Sequence, residues 1–410
     1  MKILLVTSSF RGGGITSYAH EVVNCYSQHH CVSIAIGNDD ILPFDRDKYE
    51  VIPIESSNLS IENAKKLLGV INELNPDVII NSNSMLMSLV TPYVNNDIKI
   101  ISVSHSLRYN EADTAGLNSE YIDHIVALSQ YNKEYLCRQF NIDRKDKVQV
   151  IYNFVNELQN QPKVLADKMN NHVVRIVYAG GTSAAKSPEL IYKIMKELHR
   201  SDKKFEFIFM GSNSPTLKTV QLYKSLVDIF PHDDRFQFTG RISREEALKL
   251  SSTANIFLSP SRREGCPMAM IEAMRVGCIL ITSDFKNACQ EMVEDGVNGY
   301  IIPHNNVSGF VDRILDVIDN SSKYESIYHA CYENYQKRFS YIPWRDQMTN
   351  IAAVPSVGHM KRLSEFNLVQ FNNDKRWLLN RMRYNKYHML FFETFKSAIP
   401  FFFEYIKSKI

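Results

Sequence analysis

Short unbroken apolar runs alternate along this chain with stretches whose apolar residues recur at helical spacing. Ile3-Leu4-Leu5-Val6 has no polar interruption, as expected of a central strand of a parallel sheet covered on both faces. Similar runs predict strands at Val32–Ile36, Val51–Ile54, Val78–Ile80, Lys99–Val103, Ile125–Leu128 and Val148–Ile151. Helical patterns fall between several of them, at Ile15–Gln28, Ile61–Leu74, Met85–Val94 and Gln130–Phe140, while the polar run from Leu107 to Asn118 reads as a loop. A polar stretch, Glu157 to Asn171, then breaks the series. A second series opens at Val173, with strands at Phe205–Met210, Phe236–Thr239, Ile256–Leu258 and Cys278–Thr282, and helices at Pro188–His199, Glu245–Ser252, Ser308–Asp319 and Tyr324–Arg338. Alternating strands and helices imply mostly parallel sheets with helices on both faces. The expected fold class is therefore α/β, with two doubly wound, Rossmann-like domains at 1–155 and 156–338, followed by a helical extension at 339–410.

Composition narrows this picture only a little. A chain of 410 residues suits two domains, and 44% apolar content is enough for two cores. A net charge of +2 gives no general case for nucleic acid. The seven cysteines form no C-x-x-C pair, which points to reduced thiols in a cytoplasmic protein. The first residues lack the charged head, long apolar stretch and cleavage site of a signal peptide, and no apolar run is long enough to span a bilayer.

Candidate chemistry concentrates between Ser259 and Asp284. Glu264 and Glu272 stand eight positions apart, with Gly265 and Pro267 just after the first. Pro267 suits the first turn of a helix, where its missing amide has no partner to lose. The free N–H groups and positive dipole end of that helix would face the Gly265 loop and seat an anion such as a phosphate. One acid would reach groups in front of the phosphate and the other groups beside or behind it, a layout that suits a nucleotide sugar. Elsewhere, Gly12-Gly13-Gly14 separates the first strand from the first helix, a flexible turn or a phosphate-facing loop. His105 follows a strand, at the rim where ligands of such sheets bind. Asp45-Arg46-Asp47 has a D-x-D form, but three residues in a polar loop are weak evidence for a metal site.

The run from Glu264 to Ala273, EGCPMAMIEA, resembles the E-x7-E signature of retaining GT-B glycosyltransferases of family four. The resemblance extends from Met1 to about Ile351 and implies a GT-B architecture in which two Rossmann-like domains face a cleft, the first binding the acceptor and the second the nucleotide sugar. It implies that Glu272 grips ribose hydroxyls, that Glu264 contacts the donor sugar, and that the backbone of Gly265, Cys266, Pro267 and Met268, with Lys186, holds the diphosphate. His105 would lie beside donor sugar and acceptor, Gly13 and Gly14 would face the donor phosphates, and Gly211 and Arg241 would lie near the nucleotide. No metal or other cofactor is implied, and no enzymic nucleophile. The chain departs from the family in two places. Where relatives show G-R-x…K-G, Gly181 stands at the arginine position before Lys186, and where they carry a Gly-Gly turn after the strand ending at Thr282, it reads Asp284-Phe285-Lys286-Asn287-Ala288. These departures keep open a catalytically silent relative that binds nucleotide or glycan as a scaffold.

Beyond Pro355 the resemblance ends. The remaining residues carry ten basic and four acidic side chains, and Phe391, Phe395, Ile399, Phe402 and Ile406 form one helical stripe. A basic aromatic end over 375–410 suits either packing on the first domain or peripheral contact with an anionic membrane at the inner face of the plasma membrane, where a glycan or lipid-linked acceptor would be met. Surface polysaccharide biosynthesis is the expected setting.

Overall fold

The computed structural model describes residues 1–7, 14–27, 31–36, 50–55, 58–105, 109–143, 145–157, 173–180, 186–211, 233–262, 264–284, 288–356 and 358–382. The expected positions Gly13, Asp45–Asp47, Gly181 and the aromatic stripe after Tyr384 lie outside them. Two compact units emerge: residues 1–128, 132–151 and 347–410 form the first, and 129–131 with 152–346 the second.

In the first unit, β1 (Lys2–Thr7), α1 (Gly14–Ser27), β2 (Cys31–Ile36), β3 (Glu50–Pro53), α2 (Ile61–Leu74), β4 (Val78–Ser82), α3 (Met85–Val90), β5 (Lys99–Ser104), α4 (Tyr109–Gly116), β6 (His124–Ala127), α5 (Gln130–Gln139) and β7 (Val148–Val150) follow in order. The seven strands lie in the order β3-β2-β1-β4-β5-β6-β7, all parallel. The unbroken apolar runs have the predicted cause: Ile3 to Val6 and Val78 to Ile80 are buried on both faces of the sheet. Two expectations fail locally. The helix from Met85 stops at Val90 and passes into a 3₁₀ turn at Thr91–Tyr93, because Pro92 has no amide to continue it. The segment read as a loop from Leu107 to Asn118 contains helix α4. Ala112 and Ala115 of α4 are buried, and so is Asp113, which accepts from Arg381 at 3.1 and 3.2 Å, a partner far along the chain.

The extension belongs to this unit's core as far as it is described. Residues 368–382 are helical, and Phe371 and Leu378 join the same apolar cluster as Leu67, Ile79 and Ile100. Arg362 is fully enclosed. Its guanidinium donates to the carbonyls of Asn95 and Ile98 (both 2.7 Å) and Tyr121 (3.0 Å), and to the Asp123 carboxylate (2.9 Å).

The second unit comprises β8 (Val174–Ala179), α6 (Pro188–His199), β9 (Phe205–Met210), β10 (Phe236–Gly240), α7 (Arg244–Ser252), β11 (Ile256–Ser259), α8 (Met268–Arg275), β12 (Ile279–Ser283), α9 (Ala288–Met292), β13 (Gly299–Ile302), α10 (Val307–Asp319) and α11 (Glu325–Arg338). Helix α12 (Tyr341–Ala353) starts in this unit and ends in the first. The six strands are parallel, in the order β10-β9-β8-β11-β12-β13. Chain direction across the sheet therefore reverses between β8 and β11. In doubly wound sheets ligands bind outside the carboxyl ends of the strands at such a reversal. Here the two strands pair only at Ile256↔Ile176 and Phe257↔Val177, whereas β8 pairs with β9 over six positions. The ladder between them ends at Val177 and Phe257, short of the carboxyl ends of both strands.

Candidate active site

Both strands at the reversal deliver a charged residue to its rim. Lys186 follows β8 and Glu264 follows β11, and the lysine Nζ lies 2.5 Å from Glu264 Oε1. Their side chains are 22% and 13% exposed, so the pair is sheltered but open to a ligand. Three adjacent strands leave the sheet at glycines of positive φ: Gly180 after β8 (150°), Gly211 after β9 (137°) and Gly240 closing β10 (65°). The ladder continues through them, Gly180 donating to the Met210 carbonyl (3.1 Å) and Gly211 to the Gly240 carbonyl (3.0 Å). Gly180 has a second duty. A Cβ there would stand 2.8 Å from Lys186 Cε and 3.2 Å from its Nζ, so the lysine crosses the bare face of this glycine to reach Glu264.

Helix α8 begins one residue later than its sequence suggests. Pro267 is the N-cap, in extended conformation (φ −72°, ψ 110°), rather than a member of the first turn. It has no side-chain acceptor to offer, and no acid lies in that turn. The helix buries Met270, Ile271, Ala273, Met274 and Arg275. Met268, Ala269 and Glu272 are partly open, so Glu272 shares a face with the first turn, one helical turn further on. The loop ahead of it is fixed from beneath. Asn153 donates to the Cys266 carbonyl at 3.1 Å, and Cys266 itself is buried, its thiol pushed up to about 12 by desolvation and therefore neutral. Tyr178, on β8 one residue past its last pairing with β11, is buried as well. Burial first, and the charge of Glu264 second, raise its pKa well above the ordinary tyrosine value. Arg241 is exposed immediately after Gly240.

In the first unit, His105 follows β5 at the carboxyl rim, as its position predicts. Its Nε2 is 2.9 Å from Ser82 Oγ at the end of β4, and Tyr18 meets the ring edge-on at 4.9 Å. Burial pulls the imidazole down to about 4, so it is neutral at physiological pH. Gly14 opens α1.

The structure thus gathers Lys186, Glu264, Gly265, Cys266, Pro267, Met268 and Glu272 around one strand reversal, with Gly211 two strands from β11, while His105 and Gly14 belong to the other unit's rim. Gly180, Tyr178 and Asn153 were not singled out from sequence. Only Gly180 left a signal there, a glycine directly after an apolar strand. Among the described residues no group of three or more His, Cys, Asp or Glu side chains has a metal-holding arrangement, and no helix is long and apolar enough to cross a membrane.

Comparison with known proteins bears on the family and the fold. Residues 12–157 match the family model Glycosyltransferase Family 4, and residues 163–338 match Glycosyl transferases group 1. The poly(ribitol-phosphate) alpha-N-acetylglucosaminyltransferase of Staphylococcus aureus is 22% identical over 237 residues, 54% of this chain but only 43% of its own length. Spore coat protein SA of Bacillus subtilis is 22% identical over 354 residues, 80% of this chain and 92% of its own. Among solved structures, Anabaena Alr3699/HepE in complex with UDP superimposes with a TM-score of 0.69 at 16% identity, over 86% of this chain and 99% of that one. Two family models laid end to end over most of the sequence, and a shared fold, make this chain a GT-B glycosyltransferase of the family-four type.

Proposed function

We propose that this protein is a retaining glycosyltransferase that moves a sugar from a nucleotide-sugar donor to a glycan or lipid-linked acceptor, in surface polysaccharide synthesis. The observation that carries this reading is the Lys186–Glu264 pair at the β8/β11 reversal, directly ahead of an uncapped helix N-terminus. Lys186 and the backbone N–H groups of Gly265, Cys266 and Met268 take the diphosphate. Glu264, released from part of its ion pair, takes hydroxyls of the transferred sugar, and Glu272 takes the ribose. Gly211 and Arg241 border the nucleotide. The acceptor belongs to the N-terminal unit, where neutral His105 serves as a hydrogen-bonding group rather than a cation.

Bond cleavage leaves negative charge on the departing phosphate, and stabilising that charge is the largest task of such a site. Fixed helix amides and one lysine meet it without reorganising. The outgoing phosphate then accepts the acceptor's proton on the same face, which retains the anomeric configuration with no enzymic nucleophile. We assign no metal to the reaction, so transfer should persist in excess EDTA. UDP is the first nucleotide to try, since Alr3699/HepE is seen with UDP and with UDP-glucose. The S. aureus relative, a poly(ribitol-phosphate) alpha-N-acetylglucosaminyltransferase, points to polymeric acceptors. Peripheral contact with the inner face of the plasma membrane is assigned to the basic residues of 375–410.

The test is a thermal-shift screen with UDP-, GDP-, ADP- and CMP-sugars, followed by mass spectrometry of acceptors with the donor that binds. A shift with one donor, and slow hydrolysis of it without acceptor, supports the transferase. A folded sample that no donor shifts would overturn it in favour of the non-catalytic scaffold, which the missing arginine at Gly181 favours.

A further inference from the structure

Lys186 is followed by a residue in an unusual state. Ser187 is the N-cap of α6, and an N-cap normally has extended backbone and a side-chain oxygen that accepts from the first-turn amides. Ser187 does neither. Its φ and ψ are 52° and 58°, in the left-handed region, and it makes no side-chain cap. Left-handed backbone is unfavourable for any residue with a Cβ, and a residue before proline is driven further toward extended conformations. Pro188 follows directly. Ser187 is also completely buried. A strained, buried serine next to the central lysine needs something to hold it.

The holder is His304. Its Nε2 lies 2.8 Å from Ser187 Oγ, and its Nδ1 lies 3.0 Å from Asn305 Oδ1. The backbone N–H of His304 donates to Asp284 Oδ1 at 2.8 Å, and Asp284 donates its own N–H to the Ile302 carbonyl at 3.0 Å. His304 follows β13 and Asp284 follows β12, so this brace runs along the same carboxyl rim as the site. Asp284 is also the first residue of the segment that stands where the family pattern has a Gly-Gly turn.

We propose that His304, fixed by Asp284, is a positioning residue: by holding the Ser187 hydroxyl it keeps residue 187 left-handed and thereby aims the Lys186 ammonium across Gly180 at the phosphate seat. Glycine adopts this backbone at no cost, whereas serine needs the brace. The claim rests on the assignment of Lys186 to the donor diphosphate.

A mutant cycle tests it, with UDP, GDP and ADP as probes in calorimetric titration and Lys186→Ala as the reference for full loss. Ser187→Ala should lose affinity about tenfold, as should His304→Ala, since the strain they release is of that order. Ser187→Gly should stay within about twofold of the parent, and adding His304→Ala to it should change little, because coupled residues are non-additive. A His304→Ala loss as large in the Ser187→Gly background as in the parent would overturn the inference. So would an unimpaired Ser187→Ala in a protein whose binding depends on Lys186. If the parent binds none of the three nucleotides, the diphosphate reading fails instead. The same cycle read as melting temperature without nucleotide then decides the brace: His304→Ala should lower it by a few degrees in the parent and hardly at all in the Ser187→Gly background, and equal lowering in both backgrounds would sink it.

Discussion

Two ion pairs, one in each unit, show opposite uses of charge. Arg362 and Asp123 are 0% and 1% exposed. The guanidinium meets three carbonyls as well as the carboxylate, and Asp123 also accepts the Ile100 amide at 2.7 Å. Lys186 and Glu264 share one 2.5 Å contact at an open rim. A buried pair is tolerable when further hydrogen bonds take up its donors and lone pairs. The first, with four guanidinium hydrogen bonds and a backbone amide on the carboxylate, acts as a rivet, and the second leaves donors and lone pairs for something else. Satisfaction, more than distance, separates a structural pair from one available to a ligand.

The largest effect should come from breaking the rivet. Arg362→Ala leaves Asp123 buried without its guanidinium partner, which costs about 3–5 kcal/mol. Deleting everything from Pro355 onward does the same and strips Phe371 and Leu378 from the core. Urea unfolding should show the first unit destabilised or lost in both, whereas ending the chain after Met382 should leave the melting temperature nearly unchanged. Vesicle binding that survives the shorter truncation would remove the membrane role from residues 383–410.

Breaking the open pair should spare the fold and damage the chemistry. Lys186→Ala removes one cation facing the developing phosphate charge, and loss of such a group lowers turnover about 10²–10³-fold. The melting temperature should move by no more than a few degrees. Full turnover in a folded variant would exclude the phosphate role.

His105 sharpens the contrast, because this ring at the first unit's rim is kept neutral. Its folded pKa is about 4, below the usual 6.5, through burial. Between these values the unfolded chain binds the extra proton, so stability rises with pH across the window. That contribution is fully present above about pH 6.5, is lost as pH falls toward 4, and amounts to about 3 kcal/mol. Urea midpoints at about pH 7.5 and 4.5 should differ by less in His105→Gln than in the parent.

The repeating βα pattern and the EGCPMAMIEA run were legible in sequence because both are local. Strand Phe205–Met210 and helices Ile61–Leu74 and Pro188–His199 have the bounds their periodicity predicts. What the sequence concealed are residues whose meaning depends on distant partners. Arg362 looks like one more basic residue in a basic tail until Asp123, 239 positions away, is placed beside it. The polar stretch from Leu107 to Asn118 read as a loop, although burial of Asp113 against Arg381 lets that residue sit within a helix. Ser187 resembles an ordinary N-cap before proline, and only its φ and His304, 117 positions away, show otherwise.

Gly180→Ala tests the open pair most finely, because it adds one methyl group and removes no charge. The new Cβ would meet Lys186 Cε at 2.8 Å in a backbone conformation of φ 150° that side chains rarely adopt. The lysine end is flexible and will yield, so the steric part of the strain goes into moving the ammonium away from Glu264. The backbone part remains as a stability loss of about 1–2 kcal/mol. Donor affinity should therefore fall toward that of Lys186→Ala although the lysine is still present. Combining the two substitutions should add almost nothing to the binding loss while the stability loss persists. If instead the binding losses add, Gly180 acts on the ligand by some route other than Lys186, and the lysine's path across its bare face is incidental.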